Sequence, residues 1–225
     1  MPHRLPLFPL GSVLFPGLSM PMRVFEDRYR HLMSDLLALP ADEPRRFGVV
    51  GIELGHEVGA SSTQQLSDVG CVAEVRTVRR HEDGRYDLLV EGTERFRVDA
   101  FVDPDSDHPY LRASATALPE EPGPDAERHA ERVGRLFARY CQRLTGIGMP
   151  AEPPADFPSE PVALSYAVAA AVIVDQFDKQ RLLEAEHAAA RLRLAAELLR
   201  RENRVLTALP LLPGGPFLRR EINLN

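Results

Sequence analysis

The stretch RRHEDGRYDLLVEGTERFRVDAF (79–101) constrains this chain most, because it alternates, turns on Asp83-Gly84 and alternates again. A glycine there supplies the positive φ that tight hairpin loops require, so the flanking runs are expected to pair as antiparallel strands. On the return strand Tyr86, Leu88 and Val90 share one face, and further along Phe96, Val98 and Ala100 share one. Arg95, Arg97 and Asp99 lie opposite, which reads as a half-buried sheet with its charge turned to water. Gly92 falls between the two patterns, where a bulge or bend re-aims a strand. His81, Glu82, Asp83 and Glu91 then belong to a loop tip and a solvated face, not to a reaction centre.

Given that hairpin, the rest of the first half reads as further strands. LPLFPL (5–10) and LSMPMRV (18–24) flank a turn at Phe15-Pro16-Gly17, and FGVVGIEL (47–54) is a short apolar run of the buried-strand type. YLRASATAL (110–118) is the last strand, while residues 55–68, GHEVGASSTQQLSD, have loop composition. Six or so short strands with turns between them imply a small barrel or rolled sheet with sequential antiparallel pairing. One helix interrupts it, over about 25–38. There Phe25, Tyr29, Leu32, Met33, Leu36 and Leu37 recur at helical spacing, with Glu26 and Asp27 in the first turn.

After the linker LPEEPGPDAE (118–127) the pattern becomes helical. Val133, Leu136, Phe137, Tyr140, Cys141 and Leu144 form one stripe, and a proline-rich connector occupies 146–161. A helix at about 162–175 is apolar nearly all round and is expected to be the buried one. A short helix over 177–186 leads into a long one over about 184–208, with Leu194, Ala195, Leu198, Leu199, Val205, Leu206 and Leu209 as its inner face. A Pro/Gly-rich tail follows. The expected class is α+β: a β-rich part with one helix (1–118) and a helical part (119–225).

Several functions are excluded or disfavoured. A chain of 225 residues with 44% apolar side chains can bury a full core. Its net charge is −6, with 13 basic and 18 acidic residues up to 118 and 14 and 15 beyond, so neither half has the basic excess of a nucleic-acid binder. Cys71 and Cys141, 70 residues apart, make neither a disulfide framework nor a metal motif and are expected as buried reduced thiols. The longest apolar run, VALSYAVAAAVIV, is 13 residues, too short to span a bilayer. The amino terminus carries four prolines and two glycines in MPHRLPLFPLGSVLFPG, a poor fit to a signal h-region or spanning helix, so a cytoplasmic protein is expected. No P-loop, GxGxxG, GxSxG or HExxH appears, and the histidines are scattered. Lys179, the only lysine, lies in a charged helical stretch and is expected in a solvated ion pair rather than a Ser–Lys dyad. No cofactor, metal site or catalytic residue is expected.

Taken together, LPLFPLGSVLFPG, MPMRVFEDRYRHLM, GCVAEV and DGRYDLLVEGTERFRV, in this order and spacing, resemble the Lon protease amino-terminal (substrate-binding) domain, most closely its free-standing bacterial versions. The helical half, from VALSYAVAAAVIVDQF to AAELLRREN, is similar too, so the likeness covers about residues 4–208. It implies a PUA-like rolled sheet followed by a helical bundle, in a module that contacts protein substrates. In the full protease such a domain precedes an ATPase and a Ser–Lys peptidase domain. With no Walker motif or peptidase segment here, neither activity is expected to carry over, and delivery to a protease in the same polypeptide is not expected either.

The resulting expectation is a non-enzymatic module that binds exposed apolar segments of other proteins, as an adaptor or substrate-recognition factor. Its partners would be polypeptides, with an ATP-dependent protease among the candidates. Phe15, Met20 and Met22, at the Pro/Gly-rich turn and the following strand, are the candidate contacts, since methionine adapts to varied partners. Core packing is the competing reading for all three. A ligand pocket inside the rolled sheet and a cryptic hydrolase are the alternatives. The long helix has a broad stripe rather than a heptad seam, which favours packing within a monomer.

Overall fold

The structure, a computed structural model, describes residues 4–54, 65–149, 151 and 157–208. Six strands, β1 (Leu5–Leu10), β2 (Ser19–Val24), β3 (Arg46–Leu54), β4 (Gln65–Arg80), β5 (Tyr86–Val102) and β6 (Arg112–Ala117), form one sheet. The order is β2-β5-β4-β3-β1-β6, and a further β5–β6 pairing curls it back on itself. The Asp83-Gly84 hairpin is present: Gly84 has φ +80 and its N–H donates to the His81 carbonyl at 3.0 Å. Beyond it β5 runs unbroken for 17 residues, pairing with β2 and β4 near the turn and with β6 at its far end.

Sequential antiparallel pairing holds for β3–β4, β4–β5 and β5–β6 but fails at the amino terminus. There β1 runs parallel to β3, and β2 pairs with β5 instead of β1. The cause is the Gly11–Leu18 turn, which crosses the sheet end and anchors on the bulge at Gly92. Gly17 N–H donates to the Gly92 carbonyl at 2.8 Å, and Gly92 N–H donates to the Leu18 carbonyl at 2.9 Å. The expected bulge is real, since pairing jumps from Cys71↔Arg95 to Ala73↔Gly92. A Cβ at position 92 would lie 2.3 Å from the Phe15 carbonyl oxygen, so only glycine lets the turn approach this closely. A second difference lies at β4, which starts at Gln65, inside the expected loop. Its first residues, Gln65 and Leu66, pair with Leu54 and Ile52 of β3. The rest of that loop, 55–64, lies outside the described residues.

The first helix, α1 (Asp27–Ala38), lays Tyr29, Leu32, Met33 and Leu36 on the sheet against Phe8, Phe47, Tyr86 and Val90. The Phe8 and Tyr29 rings stack with centroids 4.1 Å apart. Phe25 and Leu37 are 52% and 37% exposed, so the buried stripe is narrower than expected. Phe25 precedes the helix, in which Glu26 is the N-cap.

Four helices follow: α2 (Ala126–Gly146), α3 (Pro161–Ala171), α4 (Gln176–Glu184) and α5 (Ala188–Ala208). The apolar α3 is buried through Leu164, Tyr166, Val168 and Ala169. Its start is well specified: Pro161 sits in the first turn, and the Glu160 carboxylate accepts from the N–H groups of Val162 and Ala163. It ends at Ala171 rather than near 175. The long helix starts at Ala188, four residues later than expected, because the chain turns at Ala185–His187 to dock against the linker, where Ala188 N–H donates to the Glu121 carbonyl. Its inner face is Leu192, Ala195, Ala196, Leu198 and Leu199, whereas Val205 is 50% exposed and Leu209 lies outside the described residues. The core of the bundle is continuous with the sheet through Phe15 and Val69.

Candidate functional site

At the Gly11–Leu18 turn the amino-terminal chain enters the bundle through Phe15. Phe15 is 2% exposed and packs among the bundle's side chains, its ring 6.2 Å from that of Tyr166. Met22, 8% exposed, belongs instead to the cluster beneath α1. Met20 is half-buried at the margin of that same cluster. The structure therefore parts the three expected contacts: Phe15 and Met22 are interior, as the competing reading held, and a partner could reach them only by opening the core. Phe15 and Met20 do share a cavity of about 270 Å³, completed by Leu14 and Leu18 on the turn and by Ala170 and Lys179 on the bundle.

On the other side of the turn lies a second, wider cleft of about 520 Å³. Pro16, Gly17 and Leu18 form one wall, while Pro158, Val162, Ala163 and Ala167 form the other. Leu18 lines both spaces. The floor of the wider cleft carries Glu120 and Tyr166, and beneath them is a charged cluster that joins sheet to bundle. Arg95 of β5 is 1% exposed; its Nε donates to Glu120 Oε1 at 2.7 Å and its Nη1 to the carbonyls of Leu183 and Ala185. Arg191 of α5 is wholly buried. It donates to the Leu182 carbonyl and Ser165 Oγ, stacks 3.8 Å over the Tyr166 ring and lies 3.9 Å from Glu120. Tyr166 O–H donates to Glu120 Oε1, the oxygen that also accepts from Arg95, at 2.6 Å.

This cluster overturns one expectation directly, since Arg95 faces the bundle and not water. Burial of Arg191 draws its guanidinium down to about 10, and burial raises the Tyr166 phenol above its ordinary range. Lys179 departs from expectation too. Its Nζ donates to the Ala169 and Ala170 carbonyls at 2.6 Å, closing the end of α3, and desolvation lowers its pKa to about 8. Arg191 carried a readable signal: it precedes Ala195 by four residues and Leu198 by seven, which puts it on the apolar stripe.

The arrangement suits binding more than bond making. Burial pushes the Cys71 thiol up, away from the thiolate a nucleophile needs. Among the described residues no group of three or more His, Cys, Asp or Glu side chains is placed to hold a metal ion, and no helix is long and apolar enough to cross a membrane. What the site offers is an apolar slot between a glycine-fixed turn and a helix face, with Glu120 as its central polar group.

Residues 4–201 match the family model described as the ATP-dependent protease La (LON) substrate-binding domain. Among curated relatives, Lon protease 2 of Sorangium cellulosum (strain So ce56) is 32% identical over 212 residues, covering 89% of this chain and 25% of the relative. Lon protease of Anaeromyxobacter dehalogenans (strain 2CP-C) is 29% identical, covering 92% and 24%. The chain thus spans about a quarter of the length of these relatives. The N-terminal domain of Mycobacterium avium complex Lon protease superposes with a TM-score of 0.67 at 18% identity, covering 88% of this chain and 98% of that one. The Lon N-terminal domain protein from Xanthomonas campestris gives a TM-score of 0.57 at 21% identity, covering 92% and 99%. On its own sequence, then, and with a matching fold, this chain belongs to the LON substrate-binding domain family.

Proposed function

We propose that this chain is a non-catalytic polypeptide-binding module that takes exposed apolar segments of other proteins into the cleft beside the Gly11–Leu18 turn, and that it serves as an adaptor or substrate-recognition factor. Its β-rich part (1–118) and helical part (119–225) act as the two walls. The observation that carries the reading is the cleft of about 520 Å³ between Leu18 and Val162–Ala167, a size and lining suited to a few aliphatic or aromatic side chains. Burial of such side chains is worth about 25 cal/mol per Å² before the costs of association, which leaves weak to moderate affinity for a short segment. Membership of a family described by substrate binding supports the same reading. A cytoplasmic setting accords with two buried free thiols.

Titration of the protein with a labelled unfolded protein and with short Leu/Phe-rich peptides tests it. Saturable binding is expected, weakened about 10-fold by Leu18→Asp. Leu18 also packs on the bundle core, so Ala163→Glu, at an exposed position on the opposite wall, is the second variant. No binding at high micromolar concentration would overturn the reading, and binding that ignores both variants would move it away from this cleft.

A further inference from the structure

The helices α2 and α5 run side by side in the same direction. At their starts Ala188 and Ala189 bond to the linker just before α2, and near their ends Arg143 bonds to Asn203. Between their second halves lies a groove of about 670 Å³. Leu136, Arg139 and Arg143 line it from α2, and Arg200, Asn203, Arg204, Thr207 and Ala208 from α5. Four guanidinium groups therefore face one trough on a chain whose formal net charge is −6.

Across much of the molecule arginines meet acids: Arg46 and Arg76 meet Glu74, Arg181 and Arg201 meet Asp178, and Arg112 meets Asp105. In the groove they do not. Among the described residues no carboxylate lies within ion-pair distance of Arg139, Arg143, Arg200 or Arg204. Arg143 is held by the Asn203 backbone carbonyl and by Asn203 Oδ1 at 3.0 Å, and Asn203, 5% exposed, in turn donates to the Leu136 carbonyl. That buried asparagine sets the spacing of the two helices and the floor of the trough. Arg139 and Arg204 are exposed and Arg200 is half-buried, so three guanidinium groups remain free to turn toward a ligand.

We infer that this groove binds an acidic polypeptide segment, its carboxylates on Arg139, Arg200 and Arg204 and an aliphatic side chain against Leu136 and Ala208. This deepens the reading that the chain binds polypeptides and rests on it: the apolar cleft accepts the hydrophobic part of a partner, and the groove selects an acidic stretch beside it. Guanidinium forks match carboxylates in two-point geometry, and a ligand surrounded by unpaired positive charge avoids the repulsion that the rest of this acidic surface presents. From Leu136 to Arg143 the trough runs about 10 Å along the helix, the span of roughly three extended residues. That is short for a nucleic-acid strand and sufficient for a peptide. The chain's own residues after Ala208 contribute Arg219 and Arg220 against Glu221, so they lack the complementary charge.

The test is fluorescence anisotropy with three probes: a short peptide alternating glutamate and leucine, its glutamine counterpart, and a single-stranded oligonucleotide. The proteins are the full chain, the groove variant Arg200→Glu/Arg204→Glu, and a control variant Arg132→Glu/Arg193→Glu whose sites are exposed outside the groove. Thermal melts confirm that each variant is folded. The expected result is binding of the acidic peptide that weakens as salt rises, falls about 10-fold or more in the groove variant and is unchanged in the control. Equal binding of the glutamine peptide, equal loss in both variants, or tighter groove-dependent binding of the oligonucleotide overturns the proposal. The Leu/Phe-rich peptide is run on the same proteins. If it binds while the acidic peptide does not, the groove assignment fails alone; if neither binds, the polypeptide-binding reading fails with it.

Discussion

Two arginine clusters that meet at β5 behave in opposite ways. Near the hairpin turn, Asp87 of β5 accepts from Arg23, Arg79 and His81 at 2.8–3.2 Å, with the two arginine side chains 70% and 74% exposed. Eight residues along, Arg95 is 1% exposed and spends its donors on Glu120 and the carbonyls of Leu183, Ala185 and Pro119. The residue types are alike, but only the second cluster joins sheet to bundle. Strand alternation says which side chains share a face; whether that face meets water depends on what the chain later lays over it. At the turn the arginines stay open to water among the described residues. At Arg95 the α4–α5 connection covers the face.

The sharpest way to break this comparison is Arg95→Met. The variant leaves Glu120 with a buried partner missing and strands carbonyls that Arg95 satisfied, so a loss of about 3–5 kcal/mol is expected in a denaturant titration. A midpoint like that of the parent would mean the junction is held by apolar packing alone. Tyr166→Phe is the finer probe. It keeps the ring under Arg191 but deletes the 2.6 Å bond to Glu120, which retains Arg95, so about 1–2 kcal/mol is expected by the same titration. An effect as large as that of Arg95→Met would make Tyr166, not Arg95, the centre of the junction.

The junction was the part hardest to read from sequence. Strands at 5–10 and 47–54, the Asp83-Gly84 turn, the Gly92 bulge and the α2 stripe were legible because each is a local pattern of φ preference or periodicity. The parallel pairing of β1 with β3 was not, since the pairing unites residues about 40 positions apart and no local signal marks direction. Phe15 and Met22 look alike as apolar residues beside a turn, yet they fill different cores because the Gly92 bulge pulls the turn into the bundle. Arg95 was misread for a related reason: it does lie on the face opposite Phe96, but both faces are covered there, so the two are buried in succession. Of the cleft, the wall made by Pro16, Gly17 and Leu18 belongs to a turn that the sequence marks. Its opposite wall, Val162–Ala167, was not legible, because it comes from a helix about 145 residues away.

At the small end of the comparison stands Asp87→Asn. Hydrogen bonds from His81, then Arg79 and Arg23, hold the Asp87 carboxyl down to about 2, against an ordinary value of 3.8. A carboxyl with a lowered folded pKa stabilises the fold above its unfolded value and loses that contribution as pH falls. The wild type should therefore lose stability between pH 3.8 and about 2 through this group, while Asp87→Asn shows a smaller loss there, the part due to Asp105, whose carboxyl is also held at about 2. The cluster is open to solvent, so at neutral pH the variant is expected to melt within a degree or so of the parent, and added salt should erase even that gap. Melts of both proteins across that pH range, at low and high salt, read the difference directly. If Asp87→Asn matched Arg95→Met in cost, exposure would no longer separate the two clusters, and the hairpin tip would have to be docked on something: Arg30 of α1, whose Nε donates to the Gly84 carbonyl at 3.0 Å, is the contact that would then carry it.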